Sequence, residues 1–253
     1  MKYSALKKSR DKHGIFIVEG EKFVTEIPKN FQIVKYIVSK SYKQKAQEQK
    51  SLAILESRAE LEVVLDSVFE GLSDTVTPQG IMAVCKKINR RLADILPNLK
   101  AAGFILLCEN LSDPGNVGTL IRTAAAAGAA GVVLTSGSAD MYNPKVIRAS
   151  ACAALRLPIV CNVSLSESLE ALKSVPVYAA DPYGDSPPCN LNLVAPFTLI
   201  IGNEARGLTK EARSAADALI KLPMVNETES LNASIAGSII MYEAVRQRYP
   251  YKK

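Results

Sequence analysis

The sequence predicts an α/β protein of two domains, on three observations. Beyond residue 103, six short apolar runs at 104–108, 131–135, 158–161, 175–179, 197–201 and 218–222 are separated by helical stretches, and their hydrophobicity is nearly continuous rather than alternating. Strands of that kind are buried on both faces, the condition of a parallel sheet covered by helices on each side. Upstream, β-type runs at 15–18, 33–38 and 81–85 alternate with polar helical stretches at 19–27, 42–49 and 58–65, the pattern of a smaller α/β unit. Between them Lys86-Lys87-Ile88-Asn89-Arg90-Arg91 is basic and poor in apolar residues, so the expected division is a domain over 1–88, a linker over 89–102 and a second domain over 103–253.

Composition removes several function classes. At 253 residues and 48% apolar content the chain can bury one large core or two modest ones, which excludes disorder as its main state. Residues 1–50 hold 12 basic and 5 acidic side chains, so the whole formal excess of +6 lies there and the rest of the chain is slightly acidic. The five cysteines form no C-x-x-C pair, are odd in number and mostly sit in apolar runs, which reads as reduced thiols. With His13 the only histidine, the common zinc sites lack ligands and a Ser-His-Asp triad would have to borrow from the basic segment, so neither is expected. No apolar run reaches the roughly 20 residues of a membrane span, and the start of the chain lacks the apolar core of a signal peptide, so a soluble, cytoplasmic protein is expected.

The G-x-G-x-x-G fingerprint and the P-loop pattern are both absent, so a ligand site must be sought elsewhere. Ligands of open α/β sheets bind beyond the carboxyl ends of the strands. Three loops in such places are dense in Gly, Asn, Ser and charge: 109–122, 201–208 and 222–234. In the first, Asp113-Pro114-Gly115-Asn116 is turn chemistry leading into a helix, with Asn116 as its cap. Gly118 and Arg122, four residues apart, share one side of that helix, and the absent Cβ lets another backbone or a ligand approach beside the guanidinium. Arg122 stands alone in an otherwise Ala-rich, uncharged helix, where it needs an anionic partner. In the second loop, Gly202 and Gly207 flank Asn203-Glu204-Ala205-Arg206 and let backbone amides point inward. In the third, Pro223 stops strand pairing and 230–234 opens a helix of small residues, with Ser230 and Asn232 as capping candidates.

These three segments, in this order over roughly 150 residues, resemble the signature motifs of the SpoU (TrmH-type) RNA 2′-O-ribose methyltransferases of the SPOUT superfamily. The stretch from Lys8 to Lys22 is similar to the RNA substrate-binding domain that many members carry. The resemblance implies a small N-terminal α/β RNA-binding domain and a C-terminal SPOUT-type parallel α/β domain tied in a trefoil knot, with S-adenosylmethionine bent within the knot. It assigns reactive roles to Asn116, Arg122, Glu204, Ser230 and Asn232. It assigns cofactor contacts to Gly202, Leu222 and Leu231, to Asn203, Glu204, Gly207 and Met224 in the same loops, and to the turn Thr135-Ser136-Gly137. Leu222 stands where Ile is common and Ala233 where Val often follows the asparagine; neither disturbs the chemistry.

The reaction so implied is methyl transfer to a ribose hydroxyl, which must lose its proton as it attacks; it needs no metal. The family assigns proton removal to the arginine matching Arg122. A guanidinium with a pKa above about 12 is a poor base, so the preferred role is to hold the target phosphate and steady the developing alkoxide, with a neighbour or water taking the proton. The resemblance also implies a homodimer, the arginine-bearing loop of one subunit completing the other's cofactor site. The basic first 50 residues suit structured RNA, ribosomal rather than transfer, with Tyr3, Phe16, Tyr36 and Tyr42 as candidate base-stacking groups and core packing favoured for Phe16. The competing readings are a tRNA ribose methyltransferase, a base methyltransferase and a non-catalytic RNA-binding or ribosome-assembly protein on the same scaffold.

Overall fold

The structure, a computed structural model, describes residues 6–48, 52–226 and 229–249. It divides into two compact units, Met1–Ile88 and Asn89–Lys253. The first contains α1 (Leu6–His13), β1 (Ile15–Glu19), α2 (Glu21–Thr25), β2 (Ile33–Ser39), α3 (Lys40–Glu48), α4 (Leu52–Glu56), β3 (Leu61–Val64), α5 (Asp66–Leu72) and β4 (Ile81–Lys86). Its sheet runs β1-β4-β2-β3, with β4 antiparallel to both neighbours and β3 parallel to β2 at the edge. The expected helix over 58–65 is therefore replaced in part by a strand. Arg, Ala, Glu and Leu favour a helix there, but the pairing of Leu61–Val64 along β2 overrides that local preference. Phe16 packs edge-on against Phe31 with ring centroids 5.6 Å apart. Tyr36 is 0% and Tyr42 5% exposed, so neither ring is available to stack on a base; Tyr3 lies outside the described residues.

The second unit begins earlier than its first strand. A 3-10 turn at Leu92–Asp94 and the helix α6 (Leu96–Ala102) occupy the stretch expected to link the domains, and Leu92, Ile95 and Leu99 are buried in this unit's core. Three apolar residues at helical spacing are enough to dock a helix even where the flanking sequence is basic. There follow β5 (Phe104–Cys108), α7 (Pro114–Ala126), β6 (Gly131–Thr135), α8 (Pro144–Ala149), α9 (Ala153–Arg156), β7 (Ile159–Val163), α10 (Leu165–Leu172), β8 (Val177–Ala180), β9 (Phe197–Ile201), α11 (Lys210–Ala215), β10 (Ala218–Ile220) and α12 (Ala233–Arg248).

The six strands form one parallel sheet in the order β10-β8-β9-β5-β6-β7. On one face Ile105, Leu107, Val133, Ile200, Leu208 and Ala212 pack with Leu92, Ile95 and Leu99. Against the other lies α12, whose Gly237 is so close that a Cβ there would stand 2.6 Å from Leu120 of α7 and 3.1 Å from Ile201 of β9. At the start of that face Phe104 and Phe197 stack at 5.2 Å, and the Arg248 guanidinium lies 5.6 and 5.5 Å from their centroids. All six strands being parallel, the loops that leave β5, β6, β8, β9 and β10 emerge at one end of the sheet. No helix among the described residues is long and apolar enough to cross a membrane.

Candidate active site

At that end the loop after β5 enters α7 through Asp113, not Asn116. Asp113 is the N-cap, its side chain accepting the Asn116 amide at 2.9 Å, and Pro114 follows at the first helical position where its missing N–H costs nothing. Relieved of capping, the Asn116 side chain turns outward: Nδ2 donates to Glu204 Oε1 at 3.1 Å and Oδ1 accepts from Asn232 Nδ2 at 3.0 Å. Asn232 does cap, its Oδ1 accepting from Ser234 and Ile235 at the start of α12. One asparagine thus joins the loops that follow β5, β9 and β10, which the sequence alone places on a common end of the sheet but not in contact.

Glu204 anchors this chain. Besides Asn116, it accepts from the Asp113 amide at 2.9 Å and the Ser112 amide at 3.2 Å, at the positive end of α7. Burial works against its charged form, yet the backbone donors, Asp113 first, and the Asn116 amide outweigh it and hold the carboxyl below the usual glutamate range. Its carboxylate oxygens are engaged by these donors and its basicity is lowered.

The loop that carries Glu204 is closed on itself. Asn203 and Gly207 exchange backbone hydrogen bonds of 3.1 and 2.9 Å, and Asn203 Oδ1 accepts from the Ala205 and Arg206 amides. Gly207 has φ +67°, and a Cβ on Gly202 would stand 2.6 Å from the Gly207 carbonyl carbon. The two glycines let the ring close, so the inward-pointing amides serve first to bond the loop to itself. The turn Thr135-Ser136-Gly137 lies against the first loop: Thr135 Oγ1 accepts from the Asn110 amide at 2.9 Å, and Gly137, at φ +90°, leaves room for the Asn110 side chain.

The third loop holds Leu222 and Met224 half-buried and Ser230 and Leu231 exposed; residues 227 and 228 lie outside the described residues. No hydrogen bond joins Ser230 to the network among the described residues. Arg122 is exposed on α7, six residues beyond Asn116 or about 9 Å along the axis. No acidic side chain pairs with it among the described residues, so its guanidinium is open to solvent. Of the two approaches expected at Gly118, a backbone or a ligand, the structure shows the backbone: a Cβ there would lie 2.5 Å from Ala149 and 2.9 Å from the Val146 carbonyl, so its absence admits α8. Sequence reasoning passed over the loop after β8, which the sheet order places between the second and third loops. There Tyr183 is 83% exposed, and Asp181 forms an ion pair with Arg213 at 2.6 Å. The only sequence signal is Asp181-Pro182-Tyr183-Gly184, which reads as an ordinary turn.

A parallel α/β sheet with its polar residues gathered from four loops at the carboxyl end defines a ligand-binding enzyme scaffold. The chain belongs to the SpoU rRNA Methylase family, which matches residues 103–242, and residues 5–83 match the MRM3-like substrate binding domain. Among its relatives, the 23S rRNA (guanosine(2553)-2′-O)-methyltransferase RlmP of Bacillus subtilis is 34% identical over 238 residues, 93% of this chain and 90% of that one. The 23S rRNA (guanosine-2′-O-)-methyltransferase RlmB of Xylella fastidiosa is 32% identical over 195 residues, covering 75% and 78%. The crystal structure of the SpoU methyltransferase AviRb from Streptomyces viridochromogenes in complex with AdoMet superposes with a TM-score of 0.85 at 26% identity, over 97% of this chain and 95% of that one.

Proposed function

We propose that this protein is an S-adenosylmethionine-dependent methyltransferase acting on a ribose 2′-hydroxyl of 23S rRNA in the cytoplasm. The observation that carries the reading is the hydrogen-bonded chain Glu204–Asn116–Asn232, which draws three loops into one place at the start of α7, the helix that carries Arg122. The residues fit the cofactor. Leu222, Met224 and Leu231 offer apolar surface at the sheet end to an adenosine and a methionine chain, and the ring from Asn203 to Gly207 gives a rigid backbone rim. When bound, S-adenosylmethionine supplies an electrophilic methyl on a sulfonium. Arg122 holds the RNA phosphate next to the target ribose and steadies the oxygen as its proton leaves to water. Asn116 and Glu204 fix the start of α7 that presents it, and Ser230, exposed in the third loop, borders the ribose.

In the same reading the segment from β9 onward forms the trefoil knot, supported by the sheet order, in which β9 lies between β5 and β8. The excess positive charge of residues 1–50 supports an RNA partner for the first unit. A homodimer is supported by an exposed apolar stripe on α12: Ile235, Ile239 and Tyr242 are 48%, 45% and 54% exposed, opposite the face bearing Gly237 and Met241. The test is methyl transfer from labelled S-adenosylmethionine to 23S rRNA and to 50S subunits, followed by digestion to nucleosides. A 2′-O-methylnucleoside is expected, and Arg122→Ala should lower single-turnover transfer by about a hundredfold or more. A methyl group on a base, or unchanged transfer by Arg122→Ala, refutes the assignment.

A further inference from the structure

Glu109, the first residue beyond β5, is 4% exposed and faces no cationic side chain within ion-pair distance among the described residues. Its backbone amide donates to the Ile201 carbonyl at 2.8 Å, carrying the β5–β9 pairing one residue past the strand. Its carboxylate meets Thr209: Oε1 accepts from the hydroxyl at 2.6 Å and Oε2 from the backbone amide at 3.1 Å. Thr209 caps α11, its Oγ1 accepting from the Ala212 amide at 3.1 Å, so the hydroxyl proton points at Glu109 and a lone pair at the helix. The next residue, Asn110, sits at φ +51° and accepts Asn203 Nδ2 on its carbonyl at 2.7 Å. The loop from Gly202 to Leu208 is therefore gripped at both ends by two consecutive residues, Asn110 at its start and Glu109 at its end. A buried carboxylate is costly, and a packed apolar residue would hold two strands together at least as well. The paired bonds to Thr209 do what an apolar contact does not: they fix the register of the loop's exit against β5.

We infer that Glu109 is a positioning residue for the cofactor, acting through Thr209 to hold the 202–208 loop in its binding geometry; the inference rests on the S-adenosylmethionine reading above. Isothermal titration of the full-length protein with S-adenosylmethionine, well below each variant's melting temperature, tests it. Glu109→Gln and Thr209→Val are each expected to weaken binding by about tenfold, the size of one charge-assisted hydrogen bond, while affinity for 23S rRNA stays within about twofold. The double variant should be little weaker than the worse single one, because the contact common to both variants is the bond from Thr209 Oγ1 to Glu109 Oε1. Thr209→Ser, which keeps the hydroxyl, should restore binding. Thr209 is exposed, so its variants test the bond even where Glu109→Gln does not fold. Full affinity in folded Thr209→Val, effects that add in the double variant, or equal weakening by Thr209→Ser overturns the inference alone. Absence of binding by the wild-type protein overturns the cofactor reading and this inference with it.

Discussion

Glu204 ties the loop after β9 to the start of α7 through the Ser112 and Asp113 amides and Asn116. Its depressed pKa has a defined consequence: the stabilisation it gives is complete above the ordinary glutamate pKa of about 4.3 and is lost as the pH falls through its lower folded value. In Glu204→Gln the melting temperature should lie below wild type by a constant margin at neutral pH, and the two curves should converge below about pH 4. Thermal melts of both proteins from pH 3 to 8 check this; a margin that persists at the acid end counts against it. Asn116, Glu204 and Asn232 were singled out in the sequence by their place in the three polar loops and by the family resemblance, and capping by Asn232 was among the readings the sequence offered. The roles of Asp113, Glu109 and Asn110 were not. An Asp-Pro step is a strong N-cap signal, but Asn116 three residues on competes for the same role, and only the geometry shows which oxygen meets which amide. Tyr36 and Tyr42 were misread for a related reason: an aromatic in a basic stretch looks available to RNA until the sheet that buries it is known.

Among the elements, the strands of the second unit were read closely because a strand buried on both faces must be apolar throughout, a pattern hard to hide. β5, β6 and β9 begin and end where the apolar runs do. The edge strand β3 was lost to its helix-forming composition, and α6 to the basic residues before it. Both belong to edges or seams, where local preference and tertiary contact disagree. The close approach of α7 and α8 at Gly118 gives a sharp test. Gly118→Ala puts a methyl group 2.5 Å from Ala149 and within 2.9 Å of a backbone carbonyl that cannot yield cheaply. It should destabilise the protein by about 1–3 kcal/mol, measured by chemical denaturation, even though alanine favours a helix. An unchanged or raised stability would mean that α8 shifts freely and that the packing is looser than the distances indicate.

For the whole molecule, composition and charge pointed to an RNA partner, but not to the apolar stripe exposed on α12. That stripe is visible only once α12 is placed, because its apolar residues run all round the helix: Gly237, Ile240, Met241 and Ala244 are buried while Ile235, Ile239 and Tyr242 face outward, and the proposed dimer would use it. Ile239→Lys should shift the protein to a monomer in sedimentation experiments while leaving its fold intact by circular dichroism. A wild-type protein that sediments as a monomer would dismiss the dimer outright.

The hydrogen bond between Asn116 and Asn232 spans 116 residues of chain. Such a long-range contact forms late, after the loop-closure entropy of everything between has been met. The loop that carries Glu204 and the start of α7 can be tied to α12 only after Asn232 has reached them. The three loops are therefore joined only once both distant segments are in place.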